Sequence, residues 1–365
     1  MFGLSPGAVI RRVLQPLDAG GSRRPVFVFS GMGPQWWAMG RELLQHDPGV
    51  RAEIERVDAR FRPLTGWSVV ESLLADESTS RIQDTRVAQP ALFAIQAGLA
   101  ALWKRRGVEP AAIVGHSIGE AAALHTAGIL TLDDAVSVMY HRSRLEHLAG
   151  AGGMLAASIS VTQAGGLLRE ADAAVSIAAI NSPTSITLSG DICVLRRLQA
   201  KLKVQRLPAR MLQVEVPYHS PKMDPLQHEL VHSLRALRPA RGRVPCYSTV
   251  DPDDVEGPLG DATYWWRNVR QTVLFAAAID KAIDEGHRCF LEIGPHPVLR
   301  TAIQQCLDVR GARGAVVASL RRGRSDFETL AAGMTELQAA GTTPWQPEIF
   351  HADGGGCDAV STAAV

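Results

Sequence analysis

A short apolar run is followed at once by a serine between two glycines: Ala111-Ala112-Ile113-Val114-Gly115-His116-Ser117-Ile118-Gly119-Glu120. The run predicts a buried strand, and the alanine-rich residues after it predict a helix. Gly-x-Ser-x-Gly between a strand and a helix is typical of a nucleophile elbow, which exposes the serine hydroxyl on a sharp turn. Glycines flank such a turn because a Cβ would clash there. The alternative is an ordinary strand–helix turn without chemistry.

Similar strand–turn–helix units elsewhere predict an α/β fold with its site at the carboxyl ends of parallel strands. The clearest is Val26-Phe27-Val28-Phe29, which leads into the glycine turn Gly31-Met32-Gly33-Pro34. The other elements predicted for this layer are helices over 35–46, 50–61, 89–105, Pro221–Leu237 and Pro297–Leu307, and a strand over Arg288–Ile293.

The pattern changes between residues 153 and 216, where short strands alternate with helices near 162–171 and 191–203. These strands are predicted over Met154–Ile159, Val175–Ile180 and Ile186–Ser189. The resulting β-α-β-β-α-β order predicts a small ferredoxin-like α+β insert. The chain therefore divides into an N-terminal linker (1–24), a large subdomain (25–152 and 217–340), the ferredoxin-like insert (153–216) and a C-terminal tail (341–365).

Composition excludes several classes of function. Lys and Arg together number 38 and Asp and Glu 37, so no strong net charge favours nucleic acid or a membrane surface as partner. No apolar run reaches the length of a membrane span. The cysteines lack the paired spacing of a zinc site or a disulfide framework, which predicts reduced thiols and a cytoplasmic protein. They are Cys193, Cys246, Cys289, Cys306 and Cys357.

Three further features are candidates for a site around Ser117. The backbone of the early glycine turn, at Met32, could supply a second oxyanion donor. Arg142 follows the serine by 25 residues and could return beside it to bind a carboxylate through two parallel hydrogen bonds. His219 lies where the chain leaves the insert. Taken singly, each also fits a bland alternative: an ordinary loop, a surface arginine and an incidental histidine.

Together these residues resemble the acyltransferase domains of polyketide synthases and animal-type fatty acid synthases, and the discrete malonyl-CoA:acyl carrier protein transacylases. The resemblance runs from about Pro25 to Ala340, with the motifs in the family's order. The motifs are Val26–Trp36, Val87-Ala88-Gln89-Pro90-Ala91-Leu92, Gly115–Glu120, Arg142, Asn181-Ser182-Pro183, His219 and Glu292-Ile293-Gly294-Pro295-His296-Pro297-Val298-Leu299.

The resemblance implies an α/β-hydrolase-like large subdomain beside the ferredoxin-like one, with the site in the cleft between them. It implies that His219 is the base for Ser117 and that Arg142 binds the carboxylate of a malonyl group. The backbone amides of Ile118 and Met32 would form the oxyanion hole, and Gln89 and His116 would shape the pocket. The family orients its histidine through a backbone carbonyl, which is expected here in the loop Gly294-Pro295-His296.

The resemblance also implies the substrates and partners. No cofactor or metal is bound; acyl-CoA is the donor, and an acyl carrier protein supplies the accepting phosphopantetheine thiol. A ketosynthase domain is an expected neighbour in a multidomain synthase. The residues before the base are Val216-Pro217-Tyr218, which match neither the malonyl-selective nor the methylmalonyl-selective form of the family. Because the Tyr218 ring should crowd a C2 substituent, malonyl-CoA is favoured. Val216 could open space for methylmalonyl- or a larger alkylmalonyl-CoA.

Three rival functions remain open at this stage. His228-Glu229-Leu230-Val231-His232 matches the HExxH zinc motif, with Glu256 as a third ligand. Against it, a leucine stripe would turn both histidines away from the core. A thioesterase or esterase of the α/β-hydrolase class shares the elbow but normally places an Asp or Glu between serine and histidine. A non-catalytic docking module is the third, and the intact serine, histidine and arginine argue against it. The stripe consists of Leu226, Leu230, Leu234 and Leu237.

Overall fold

Two β-sheets organise the structure, a computed structural model that describes residues 24–170, 174–253 and 259–342. The strands of the described residues, in chain order, are β1 (Val26–Phe29), β2 (Ala112–Gly115), β3 (Gly153–Ala157), β4 (Val175–Ser182), β5 (Ser185–Gly190), β6 (Ala209–Met211), β7 (Cys246–Tyr247), β8 (Cys289–Ile293) and β9 (Ala315–Ala318).

Helices surround both sheets. In the described residues they are α1 (Arg41–His46), α2 (Pro48–Thr65), α3 (Val69–Leu74), α4 (Thr85–Arg105), α5 (Gly119–Thr126), α6 (Leu132–Glu146), α7 (Val161–Glu170), α8 (Ile192–Val204), α9 (Gln227–Leu234), α10 (Ala262–Arg270), α11 (Phe275–Asp284), α12 (Arg300–Val309) and α13 (Asp326–Ala339). Short 3-10 turns lie at Glu77–Thr79 and Pro221–Leu226.

The larger sheet is parallel, with the order β7-β2-β1-β8-β9 among the described residues. In its register Phe29 stands opposite both Gly115 and Ile293, so the three central strands end side by side. Parallel sheets place binding crevices at this carboxyl edge. The edge is therefore where the loops after β1, β2 and β8 meet.

Both faces of the parallel sheet are covered, as continuous apolar strands require. Alternate residues of β1 enter different cores. Phe27 and Phe29 pack into the core that α4, α5 and α6 also line, whereas Val26 and Val28 pack with apolar residues of α11 and α12. All four side chains are fully buried.

The smaller sheet is antiparallel, with the order β4-β5-β3-β6. Its strands and helices follow each other as β3-α7-β4-β5-α8-β6. Leu155 and Leu188 on the sheet pack against Leu195 and Leu202 of α8 and Leu167 of α7, which gives this sheet a core of its own.

Strand β4 of the small sheet is bonded to the residues before α11 and to α12. Ile180 N donates to Val273 O at 2.9 Å, and Val273 N donates to Ala178 O at 2.8 Å, so the residues just before α11 extend β4. Ser182 Oγ donates to Gln305 Oε1 of α12 at 2.5 Å. The end of β4 is thereby fixed beside the carboxyl edge of the parallel sheet.

The mixed α/β content predicted from the sequence is confirmed, and the strand over Val26–Phe29 is found with the predicted bounds. Two helix predictions were too long. Residues 35–40 of the predicted helix 35–46 are not helical, because α1 begins only at Arg41. Pro221–Leu237 is a 3-10 turn followed by the short helix α9, because Pro225 cannot donate within a helix. The subdomain boundaries remain predictions, and most of the linker and tail lies outside the described residues.

None of the helices in the described part of the chain is long and apolar enough to cross a membrane.

A pair of glycine substitutions tests the packing of the small sheet. At Gly190, with φ of 155°, a Cβ would lie 2.1 Å from the Ala174 carbonyl oxygen, whereas at Gly165 in α7 the nearest atom is Arg169 Nη1 at 3.8 Å. Gly190→Ala should lower the free energy of unfolding by about 1–3 kcal/mol. Gly165→Ala should raise it by about 0.5–1 kcal/mol because alanine favours the helix. Urea unfolding gives both values, and equal midpoints would contradict the described packing.

Candidate active site

The turn after β2 holds Ser117 in a left-handed backbone conformation, with φ of 54°. Such a conformation is rare outside glycine and is concentrated at functional sites. Both neighbouring glycines are required by space. A Cβ at Gly115 would lie 2.4 Å from Glu120 Cα, and one at Gly119 would lie 2.4 Å from the Phe29 carbonyl oxygen. The start of α5 therefore requires glycine at position 115, and the tight approach of β1 requires glycine at position 119.

His219 lies directly against the serine, although 102 residues separate them in sequence. The distance from Ser117 Oγ to His219 Nε2 is 2.7 Å. His219 also has a positive φ, 57°, in the segment that leads from the small sheet to α9. The two strained residues thus approach each other from different parts of the chain.

The carbonyl that orients His219 belongs to Gln271, whose oxygen lies 2.9 Å from His219 Nδ1. The expectation that it lies in the loop 294–296 was wrong. That loop instead contacts other partners: Pro295 O accepts from Trp36 Nε1, and His296 Nδ1 accepts from Arg322 N. Gln271 takes the role because α10 ends beside the histidine.

The protonation state of His219 follows from these contacts. A carbonyl oxygen can only accept, so Nδ1 carries the proton and Nε2 is left to accept from the serine hydroxyl. Burial lowers the pKa of His219 to about 3, and the charge of Arg142 and the nearby His116 act in the same direction. The imidazole is therefore neutral near neutral pH, as a general base must be.

Arg142 is a fully buried cation beside Ser117. Its Nη2 donates to Ser117 Oγ at 3.1 Å, its Nε donates to Glu146 Oε1 at 3.0 Å, and its Nη1 donates to Asn268 Oδ1. Glu146 lies one turn further along α6, so the pair has i,i+4 spacing. The guanidinium is held in a fixed orientation with one edge at the serine.

A buried polar network supports this arrangement from α10. Asn268 Nδ2 donates to Glu120 Oε2 at 2.8 Å and to the Ser117 carbonyl at 3.3 Å. Tyr264 Oη donates to Glu120 Oε2, and Thr249 N donates to Glu120 Oε1. Burial raises the pKa of Glu120, against the effect of these hydrogen bonds. Neither Asn268 nor Tyr264 was predicted from the sequence, and the helix that carries them, α10, was not predicted either.

The predicted pocket residues lie around the same centre. His116 Nε2 is 2.9 Å from Asn181 Oδ1 of β4, a contact that joins the two sheets at the site. Gln89 Nε2 donates to Glu146 Oε2 at 2.5 Å.

The segment before the base is also buried. The Tyr218 hydroxyl lies 2.7 Å from Thr85 Oγ1, at the start of α4. Val216 is 5% exposed. The Tyr218 ring is thus fixed at its far end as well as by the backbone.

The two predicted oxyanion donors lie at the turns that flank the serine. Ile118 directly precedes α5, and the next two amides, of Gly119 and Glu120, already donate to the His116 and Ser117 carbonyls. Met32 is half-buried in the turn after β1. A Cβ at the adjacent Gly31 would lie 3.4 Å from Ser117 Cβ, so this turn packs closely on the serine.

The HExxH pattern does not form a metal centre in the described residues, where no cluster of three or more metal-binding side chains occurs. His228 and His232 are exposed on α9, and Glu229 accepts from Arg144 at 2.6 Å. Glu256, the proposed third ligand, lies outside the described residues. The predicted leucine stripe is confirmed, since Leu226, Leu230, Leu234 and Leu237 are all buried.

Comparison with known proteins places this geometry in a family. The sequence model of the acyl transferase domain matches residues 26–344. The chain is 36% identical over 325 residues to the spectinabilin polyketide synthase system protein NorC of Streptomyces orinoci, and 37% identical over 322 residues to erythronolide synthase EryA2 of Saccharopolyspora erythraea. These matches cover 88% and 87% of this chain but only 14% and 9% of the relatives.

A solved structure gives the same result. The acyltransferase domain from module 8 of the salinomycin polyketide synthase superposes with a TM-score of 0.85 at 34% identity, over 88% of this chain and 77% of that one. The chain belongs to the acyl transferase domain family, in the branch formed by the acyltransferase domains of polyketide synthases.

Proposed function

We propose that this acyltransferase domain loads a malonyl-type extender unit from acyl-CoA onto the phosphopantetheine thiol of an acyl carrier protein. The observation that carries the proposal is the position of Ser117 Oγ, 2.7 Å from His219 Nε2 and 3.1 Å from Arg142 Nη2. One hydroxyl is thus in contact with a neutral base and with a cation suited to a carboxylate.

The first half-reaction acylates the enzyme. His219 Nε2 takes the hydroxyl proton as Ser117 Oγ attacks the thioester carbon, and the resulting imidazolium is stabilised by the Gln271 carbonyl at Nδ1. The backbone amides of Ile118 and Met32 would bind the oxyanion, aided by the N-terminus of α5. Collapse of the intermediate breaks the C–S bond, and His219 returns the proton to the departing thiolate of coenzyme A.

The second half-reaction reverses these roles. The phosphopantetheine thiol gives its proton to His219 and attacks the Ser117 ester, which restores the serine hydroxyl. Water must not compete during the wait for the carrier protein. The buried state of the serine, histidine and arginine, which are 7%, 4% and 1% exposed, supports such exclusion.

Two observations favour transfer over the rival hydrolase. The partner of His219 Nδ1 is a backbone carbonyl, whereas an α/β-hydrolase normally places a carboxylate there. A buried arginine in contact with the nucleophile has no role in a neutral ester site, and it matches the free carboxylate of a malonyl group.

Malonyl-CoA is the favoured extender. The Tyr218 ring is buried and held through its hydroxyl at Thr85, so it cannot easily swing away from a substituent at C2. One methyl group in an apolar pocket is worth about 1–3 kcal/mol, so selectivity need not be complete. Methylmalonyl- or a larger alkylmalonyl-CoA is the alternative if the small Val216 leaves room on the other side.

The same proposal includes the wider setting. The parallel sheet would be an α/β-hydrolase-like subdomain, and the β3-α7-β4-β5-α8-β6 unit, with its antiparallel order, supports a ferredoxin-like one. A neighbouring ketosynthase domain and an acyl carrier protein are the expected partners in the cytoplasm. No resident cofactor is needed for the steps above.

The primary test is the mass of the acylated protein. Incubation with malonyl-CoA should add the mass of one malonyl group to the protein. When a panel of acyl-CoA thioesters competes at equal concentration, kcat/KM should be highest for malonyl-CoA. Ser117→Ala should abolish the added mass. Labelling that persists in this variant would refute the nucleophile, and preference for a C2-substituted malonyl-CoA would show that Val216 sets the pocket.

A second prediction concerns the base. His219→Ala should slow acylation by about 10²–10⁴-fold. Because the pKa of His219 is lowered to about 3, the histidine stays neutral as pH falls, and wild-type acylation by acetyl-CoA should not decline as pH passes through about 6.5, the ordinary histidine value. His228→Ala and His232→Ala are matched controls on α9, and their acylation rates should be close to the wild-type rate. Activity that collapses only in these controls would restore the zinc hypothesis.

The third prediction concerns substrate selection by Arg142. Loss of one partner of a buried charge pair costs about 3–5 kcal/mol, so Arg142→Ala should lose malonyl transfer far more than acetyl transfer. Arg142→Lys keeps the charge but not the two parallel hydrogen bonds, so its rate of malonyl transfer should lie between the rates of the wild type and of Arg142→Ala. Rates of acyl-Ser117 formation with both thioesters decide this. Equal losses for malonyl and acetyl would mean that the arginine is only structural.

A further inference from the structure

The charge of Arg142 is already balanced in this structure. Glu146 Oε1 accepts from Arg142 Nε at 3.0 Å, and the two side chains are 1% and 2% exposed. Glu146 was not singled out from the sequence. A malonyl group bound at Arg142 would therefore bring a second carboxylate to a guanidinium that already has one.

Two carboxylates around one buried cation leave a net negative charge away from water. Such a charge is costly, and like charges that share a site drive one of them to bind a proton. Burial already raises the pKa of Glu146, while the charge of Arg142 and the hydrogen bonds from Gln89 and Arg142 oppose the increase. A second carboxylate would tip this balance toward the protonated form.

Gln89 can form a hydrogen bond with either protonation state of Glu146. Its Nε2 donates to Glu146 Oε2 at 2.5 Å. Its Oε1 is buried and has no hydrogen-bond partner among the described residues. Turning the amide over would exchange donor and acceptor, so that Gln89 Oε1 accepts from a protonated Glu146. The pair Gln89–Glu146 can thus satisfy either protonation state without moving the backbone.

We propose that Glu146 is a positioning and selectivity residue, which holds Arg142 at the serine and takes up one proton from solvent when the free carboxylate of a malonyl-type acyl group binds. The inference rests on the proposed function, because it requires that carboxylate to bind Arg142. The balance is simple. Transfer of the acyl group from coenzyme A to Ser117 releases no proton while coenzyme A leaves as the thiol, and Glu146 gains one.

The other titratable groups that face Glu146 do not compete for this proton. Tyr218, from the segment before the base, has its pKa raised by burial and by Glu146, so it stays neutral. His219 lies beyond Arg142 and has a lowered pKa. Glu120 accepts hydrogen bonds from Asn268, Thr249 and Tyr264, which are the same whichever thioester is used. A comparison of the two thioesters therefore isolates the proton that is taken up with the malonyl carboxylate, and the Glu146→Gln variant assigns this proton to Glu146.

The first arm of the test uses the wild-type chain. Acylation of Ser117 is followed by mass while a pH indicator in weakly buffered solution reports protons. Malonyl-CoA should take up about one proton more per acylated serine than acetyl-CoA does. Equal uptake would overturn the inference and leave the proposed function standing. Failure of malonyl-CoA to acylate Ser117 at all would overturn both.

The second arm compares pH profiles. Protonated Glu146 is the form that admits the carboxylate, and it is more abundant at low pH. The ratio of kcat/KM for malonyl-CoA to that for acetyl-CoA should therefore rise as pH falls, approaching about tenfold per pH unit. Glu146→Gln keeps the shape of the side chain without its charge, so the malonyl-to-acetyl ratio of this variant should be flat across pH and its KM for malonyl-CoA should be lower than that of the wild type. A slope that persists in Glu146→Gln would refute the assignment.

Glu292→Gln is the matched control. Glu292 is a buried carboxylate whose pKa burial raises to about 7, and it accepts from the Val298 and Leu299 amides rather than from Arg142. Its loss should leave the malonyl-to-acetyl ratio and its pH slope as in wild type. Loss of the slope in this variant would mean that the effect is not specific to Glu146 and would contradict the inference.

Discussion

A single buried positive charge constrains much of this structure. An isolated ion of this kind would be very costly away from water, so Arg142 must be surrounded by partners. They come from three elements: Glu146 from α6, Asn268 from α10 and Ser117 from the turn after β2. The position of each element is therefore tied to the others through one guanidinium. The same contacts leave the cation beside the nucleophile, where a substrate carboxylate would need it.

Strain at the reacting atoms is the second constraint. Ser117 and His219 both have positive φ, which costs about 1–3 kcal/mol for each residue. At Ser117 the strain persists because neighbouring residues fix the turn. β1 packs against Gly119, Glu120 packs against Gly115, and Asn268 donates to the Ser117 carbonyl. In return, Ser117 Oγ and His219 Nε2 are held at 2.7 Å, so the proposed proton transfer between them would require little reorganisation of the enzyme.

Sequence patterns predicted those features of the fold that depend on residues close together in the chain. The turn at Ser117, the strand Val26–Phe29 and the leucine stripe of α9 depend on glycine sterics and apolar periodicity, which neighbouring residues reveal. The hydrogen-bond partner of His219 Nδ1 could not be predicted from such local patterns. A backbone carbonyl has no residue signature, and Gln271 lies 52 positions away, so the loop after β8 was chosen wrongly.

Other parts of the site depend on tertiary contacts in the same sense. Asn268 has no distinguishing signature in the sequence, and its contact with Arg142 exists only because the fold brings α10 and α6 together. Glu146 did leave a signal, since an acid four residues after Arg142 is the spacing of a helical ion pair. The spacing could not reveal that this pair is buried and that Glu146 also accepts a hydrogen bond from Gln89. An ion pair on the surface contributes little to stability, whereas in a buried pair the loss of either charge is costly.

The most direct measurement is the structure of the His219→Ala variant trapped as its malonyl ester. The account predicts an ester on Ser117 Oγ, with the free carboxylate within hydrogen-bond distance of the Arg142 guanidinium and the Glu146 contact retained. An ester on another residue, or a malonyl carboxylate that points to solvent and leaves Arg142 untouched, would contradict it.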